Sequence, residues 1–242
     1  DYRAAVVETA AFLDDNPEWL VLTNGLDEGV LLAAIAYLAP VTNPSDGDIP
    51  EVIVAMPAFD TYLTTAKAMH AKIVTVPPEV DYAFPIDGVL AAVTSRTRLI
   101  YINNPNNPTG QVVSKEAIRR VARAASDAVV FVDEAYHDFT GEHFLEEGPA
   151  YPNVLIGRTF SKAHGLAGMR VGVMIARPEV LAPIRFVMPL FNLNVVAVAA
   201  LRAALTDRDF RPWYVAQVNE SKTRVYDALD RVGGVAHDLP AR

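Results

Sequence analysis

Short runs rich in β-branched residues, most of them continuously apolar, recur along this chain, at 19–23, 52–55, 73–76, 99–102, 129–132, 154–156 and 171–175. A strand with one wet face alternates apolar and polar side chains. A run that is apolar throughout is buried on both faces, as in a parallel sheet covered by helices on each side. The segments between the runs carry helical periodicity. In 114–125, Ser114 can cap an N-terminus, and Ile118, Val121, Ala122 and Ala125 fall at i, i+3, i+4 and i+7, which predicts one buried face. Strand alternating with helix predicts an α/β, doubly wound domain with right-handed crossovers, whose ligands gather beyond the carboxyl ends of the strands. From about Arg177 helical periodicity takes over, ending in a long polar and apolar pattern over 209–232. The expected division is a large domain at 1–208 and, at 209–242, a long helix leading toward a small C-terminal domain that is incomplete. Residues 1–15 read as the middle of an amphipathic helix and 239–242 bring no closing element, the pattern of a fragment.

Composition narrows the function classes. A chain of 242 residues, 51% of them hydrophobic, can bury a substantial core. A formal charge of -8 disfavours nucleic acid as the main partner, because phosphate backbones call for a basic face. With no cysteine, disulfide frameworks, thiol catalysis and Cys-rich zinc sites are excluded. The longest apolar runs, 30–40 and 195–205, fall short of a membrane span, and the start lacks a signal-peptide pattern, so a soluble protein is expected; the cytoplasm is the base-rate expectation for its setting. The loop 43–50 reads as a solvated connection. The histidines, His70, His137, His143, His164 and His237, show no paired metal spacing.

Polar residues follow several of the apolar runs directly. After 19–23 comes Asn24-Gly25-Leu26-Asp27-Glu28-Gly29, ahead of an apolar helix at 30–38. A glycine at a strand-to-helix turn lets backbone N–H groups and the positive helix end face an anion; an ordinary helix start with acidic residues in its first turn reads the same way. After 99–102 comes Asn103-Asn104-Pro105-Asn106-Asn107-Pro108-Thr109-Gly110, a rigid turn with more amide groups than a turn requires. The run 129–132 leads into Asp133-Glu134-Ala135-Tyr136, where a carboxylate leaving a buried strand needs a cation or good donors. A structural arginine would answer that need, and so would a protonated pyridine nitrogen. After 154–156, Thr159, Ser161, Lys162 and Arg170 stand in a Gly-rich, otherwise apolar loop. Such surroundings favour the neutral amine that imine formation needs, and the guanidinium can bind phosphate in bidentate fashion.

Taken in order and with their gaps, Asn107-Pro108-Thr109-Gly110, Asp133-x-x-Tyr136 and Ser161-Lys162-x-x-Gly165-x-x-Gly168-x-Arg170 resemble the fold-type I, class I/II aminotransferases, within them most the histidinol-phosphate aminotransferase branch. The resemblance runs from about Trp19 to Leu205. It implies the large domain of that fold, a three-layer αβα unit with a mostly parallel seven-stranded sheet, and pyridoxal 5'-phosphate (PLP) as cofactor. It further implies Lys162 as Schiff-base lysine and proton shuttle, Asp133 as partner of the pyridinium nitrogen, and Asn107 and Tyr136 at the phenolic oxygen. Phe59, in Pro57-Ala58-Phe59, matches the ring-stacking position, where the family often has tyrosine. Gly25, the backbone of Leu26 and Asp27, and the side chains of Thr159, Ser161 and Arg170 would cradle the phosphate.

The implied activity is ping-pong transamination between an amino donor (histidinol phosphate or an aromatic amino acid) and a 2-oxo acid, by a homodimer with its active site at the interface. Two alternatives stand beside it. One is a related PLP-dependent decarboxylase or carbon–sulfur lyase; the other is an aminotransferase-like sensor domain of a regulator. The stretch 189–194 resembles the family's loop near the dimer interface and reads equally well as a proline-bounded helix start. The family's N-terminal segment with its partner-directed tyrosine, and the arginine for the substrate carboxylate, are not identifiable; nothing around Arg242 supports that role.

Overall fold

A computed structural model describes residues 1–39 and 49–232. The expected loop at 43–50 lies largely outside them, as do His237 and 239–242. The order of elements is α1 (Tyr2–Leu13), β1 (Leu20–Asn24), α2 (Gly25–Leu38), β2 (Glu51–Ala55), α3 (Asp60–Ala68), β3 (Lys72–Val76), α4 (Ile86–Ala92), β4 (Thr97–Asn103), α5 (Lys115–Ala124) and β5 (Val129–Asp133). Then come α6 (His137–Thr140), β6 (Val154–Thr159), β7 (Val171–Ile175), α7 (Pro178–Val187), α8 (Val195–Thr206) and α9 (Phe210–Val232).

The strands form one seven-stranded sheet in the order β1-β7-β6-β5-β4-β2-β3. Neighbours from β3 across to β6 are parallel, whereas β7 runs antiparallel to both β6 and β1. An apolar run therefore marks double-sided burial, not strand direction: β7 is buried at every position yet antiparallel. Of the two edge strands, β1 is buried at all but its last position and β3 is only partly buried.

Within each apolar strand, alternate side chains serve opposite faces. Leu20, Ile100, Ile102, Val130, Val132 and Ile156 join one core with residues of α1, α5 and α8. Val21, Leu99, Tyr101, Val129, Phe131 and Leu155 join a second with residues of α2, α3 and α7. The result is a three-layer αβα unit. Each fully buried Leu or Ile contributes roughly 1.5–3 kcal/mol, so two filled cores hold the sheet rigid as a platform.

Local signals set the helix ends. Ser114 Oγ accepts from the Ala117 N–H at 3.2 Å, capping α5 as its sequence predicts. The predicted helix at 30–38 begins earlier, at Gly25. Gly25 has φ +73°, so the chain turns within a single residue and Asp27 and Glu28 occupy the first helical turn, where the macrodipole favours them. No helix among the described residues is long and apolar enough to cross a membrane.

Candidate active site

Topology brings the candidate residues to one rim. Parallel pairing ends β4, β5 and β6 at the same edge, with Asn103 opposite Asp133 and Asp133 opposite Gly157. Because β7 is antiparallel to both β6 and β1, β1 also ends at this edge while β7 starts there. Arg170, just ahead of β7, thus meets the turn just after β1, although 143 residues separate it from Asp27. One cavity of about 120 Å³ is lined by Leu26, Asp27, Phe59, Asn107, Asp133, Tyr136, Thr159, Ser161, Lys162 and Arg170, together with Val30, Asn103 and Ala135. Gly25 does not line it but lies directly under Arg170: a Cβ there would stand 2.4 Å from the guanidinium Nη2.

Asp133 is buried at the cavity floor and makes no ion pair among the described residues. Instead its Oδ2 accepts from the Tyr62 hydroxyl at 2.6 Å and its Oδ1 from the Ala135 N–H at 2.9 Å. Burial pushes its pKa up from 3.8 to about 6, against the lowering effect of those two donors, with Asp27 and Glu134 adding to the rise. The structural arginine allowed for in the sequence is not its partner: Arg158 pairs with the adjacent Glu134 at 2.8 Å. A buried carboxylate that lacks a cation fits a protonated heterocycle.

Opposite Asp133 the rim fits an anion. Among the described residues the buried Ser161 hydroxyl has no hydrogen-bond partner, and no side chain caps the N-terminus of α2. Arg170 reaches over that terminus, where its Nη2 donates to Asp27 Oδ2 at 2.7 Å. Thr159 Oγ1 accepts from the Ser161 N–H at 3.1 Å, so its first task is to shape the turn. These groups suit a phosphate monoester.

Lys162 differs from expectation in its surroundings. It is exposed rather than enclosed by apolar neighbours, with Nζ 5.3 Å from the Tyr136 ring centroid. The reason is its place between two openings. A larger cleft of about 860 Å³, bounded by 105–112 and by α9 residues such as Tyr214 and Tyr226, adjoins the first cavity and shares Asn107, Tyr136, Ser161 and Lys162. His164 does not line the cavity; it is buried between Phe12 and Phe160, and burial pushes its pKa down to about 4. Among the described residues no group of three or more His, Asp or Glu is placed to hold a metal ion. At 189–194, Asn194 caps α8, accepting from the Ala197 N–H at 2.8 Å, while Leu190 and Phe191 are exposed.

Sequence reasoning missed Tyr62 and Glu134. Tyr62 lies three residues beyond Phe59, one helical turn away, and that spacing was its available signal. Glu134 accepts from Arg158 Nε at 2.9 Å and from the Phe144 N–H, locking the end of β5 to β6. Its identity as a fully buried acid could not be read from a motif of neighbouring exposed-type residues.

Comparison with known proteins places the chain in a family. The chain is 41% identical over 197 residues to "Histidinol-phosphate aminotransferase 2" of Ralstonia nicotianae, covering 79% of this chain and 50% of that protein. The crystal structure of the histidinol-phosphate aminotransferase from Clostridium acetobutylicum matches with TM-score 0.86 at 22% identity, over 98% of this chain and 68% of that one. The histidinol-phosphate aminotransferase from Sinorhizobium meliloti, solved in complex with pyridoxal-5'-phosphate, matches with TM-score 0.83 at 26% identity, over 92% of this chain and 59% of that one. The chain spans between 50% and 59% of the length of the curated relatives it matches. The family model for Aminotransferase class I and II covers residues 2–240, and with the cavity just described it establishes that this chain belongs to that family.

Proposed function

We propose that the protein containing this chain is a PLP-dependent aminotransferase that moves an amino group between an amino acid or histidinol phosphate and a 2-oxo acid in a ping-pong cycle. The observation that carries the reading is the convergence of Lys162, Asp133 and Arg170 on one cavity. Bound there, PLP would supply an aldehyde to accept the donor's amine and a ring able to take up electrons from Cα.

The chain's own residues then have distinct tasks. Lys162 Nζ would be the amine that anchors the cofactor and the base positioned to move a proton at the donor's Cα. Its exposure suits that task, because Lys162 also borders the larger cleft through which a substrate can approach. Asp133 would hold a proton on the ring nitrogen. Asn107 and Tyr136 would hydrogen-bond the phenolic oxygen, and Phe59 would cover one face of the ring. Ser161 Oγ, the N–H groups of Leu26 and Asp27, and Arg170 would hold the phosphate, with Thr159 supporting the turn; Arg170 would give up its Asp27 partner for the dianion. Residues 1–208 serve as the cofactor-binding unit and α9 leads from it toward the rest of the protein. The working form is a homodimer, and the exposed cluster Phe186, Leu190, Phe191, Val195 and Val196 supports an interface there. The expected setting is the cytoplasm.

The test is to add PLP and a panel of amino donors to the intact protein and follow the visible band of the lysine-bound cofactor. Conversion to the amine form of the cofactor by one donor, with histidinol phosphate and aromatic amino acids foremost, names the reaction; release of carbon dioxide or sulfide instead would replace it. Lys162→Ala is expected to abolish the visible band and lower turnover by about 10²–10⁴-fold or more. A Lys162→Ala protein that retained the band would remove Lys162 from its role.

A further inference from the structure

Tyr62 is 1% exposed, and everything around it fixes its ring. The ring stacks on Tyr101 with centroids 4.3 Å apart and planes 11° from parallel, and it meets Phe59 edge-on at 5.8 Å. Its backbone N–H donates to Phe59 O at 3.2 Å in the first turn of α3. A phenol held this firmly places its hydroxyl at one point, 2.6 Å from Asp133 Oδ2. The Ala135 N–H takes Oδ1. Each carboxylate oxygen thus has one assigned donor, and the plane of the group is set before any ligand arrives.

We propose that Tyr62 is a positioning residue for Asp133: its hydroxyl fixes the orientation of the carboxylate toward the cavity and keeps it ionised, so that it can hold the proton of a heterocyclic ring nitrogen. The inference rests on the PLP reading and adds to it a residue that touches neither substrate nor cofactor. Burial, followed by the charge of Asp133, holds the Tyr62 pKa well above its usual 10, so the phenol remains a donor throughout the working range. The other groups facing Asp133 are Tyr101 from β4, Asp27 from α2, and Glu134 and Tyr136 next to it in the chain, with Lys162 and Arg170 on the same cavity. Asp27 and Glu134 raise the Asp133 pKa; Tyr62 is the first of the groups that lower it.

Tyr62→Phe keeps the ring and its stack and removes one oxygen. Pyridoxamine phosphate is the appropriate probe, because it carries an amine in place of the aldehyde and so reports ring and phosphate contacts without condensation on Lys162. Its affinity for the intact cofactor-free protein is measured from pH 5 to 9 in both forms. Wild-type affinity is expected to fall off on the acid side as Asp133 takes up a proton, and in Tyr62→Phe that fall should begin about one pH unit higher. Titration of the probe itself is common to both proteins and cancels. Turnover of the loaded variant should drop about tenfold in kcat with a smaller change in KM. A purely structural role for Tyr62 would lower the unfolding temperature and leave the acid limb in place, and an unmoved limb overturns the proposal. A wild type that binds neither PLP nor pyridoxamine phosphate overturns the cofactor reading beneath it. If the variant does not fold, the wild-type hydroxyl proton is followed by NMR. A far-downfield Tyr62 resonance that shifts on addition of the probe is expected, and its absence overturns the assignment.

Discussion

The cavity-floor carboxylate is unfavourable for the empty protein. Folded Asp133 binds its proton more tightly than the unfolded chain does, since burial raises its pKa from 3.8 to about 6. Stability is therefore lost as pH rises through that window, and the loss is complete above it. At 1.36 kcal/mol per unit the shift corresponds to about 3 kcal/mol. Asp133→Asn in the cofactor-free protein should match wild type in stability near pH 4 and exceed it by up to about 3 kcal/mol at pH 8, while losing most of its affinity for cofactor. Denaturant unfolding at the two pH values measures the gap, and a gap that did not widen with pH would contradict the burial argument. The residue also shows a limit of motif reading. Asp133 stands out as an acid at the end of an apolar run, but its donor Tyr62 lies 71 residues away on another element and carries no motif of its own.

The turn between β1 and α2 is built around a single backbone conformation. Gly25 has φ +73°, a left-handed geometry that costs an L side chain about 1–2 kcal/mol, and a Cβ there would meet Arg170 Nη2 at 2.4 Å. Gly25→Ala should thus displace the guanidinium as well as strain the turn. The expected result is a loss of about 1–2 kcal/mol in unfolding free energy together with weaker phosphate-dependent cofactor binding, read by thermal melts and by PLP titration. An alanine variant with wild-type affinity would mean that Arg170 does not need the space. Elements of this kind were partly legible: Gly25 marks a turn in any reading, and Ser114 marks the start of α5. The early start of α2 was less so, because the acidic residues at 27 and 28 look like loop until the macrodipole of a helix beginning at Gly25 gives them a place.

At the scale of the molecule, an apolar patch stands beside the filled αβα core. Phe186, Leu190 and Phe191 are between 86% and 90% exposed, and on the homodimer reading proposed above they belong to the interface. In the intact protein the double substitution of Leu190 and Phe191 by Lys should weaken dimer formation by about 30-fold or more, given roughly 2 kcal/mol for a buried large side chain. Sedimentation across a dilution series checks this, and an unchanged association constant would move the interface elsewhere. The sequence by itself determined the number and character of the strands, the α/β class and the order of the polar motifs. Burial on both faces writes itself into the composition of the central strands, and a turn must carry its chemistry locally. Only the tertiary structure decided that β7 runs against its neighbours, that Arg170 and Asp27 share a rim, that Tyr62 rather than an arginine answers Asp133, and that Lys162 stands between two openings. Each of these is a relation between distant residues, set by how strands order within a sheet, and local periodicity does not encode that order.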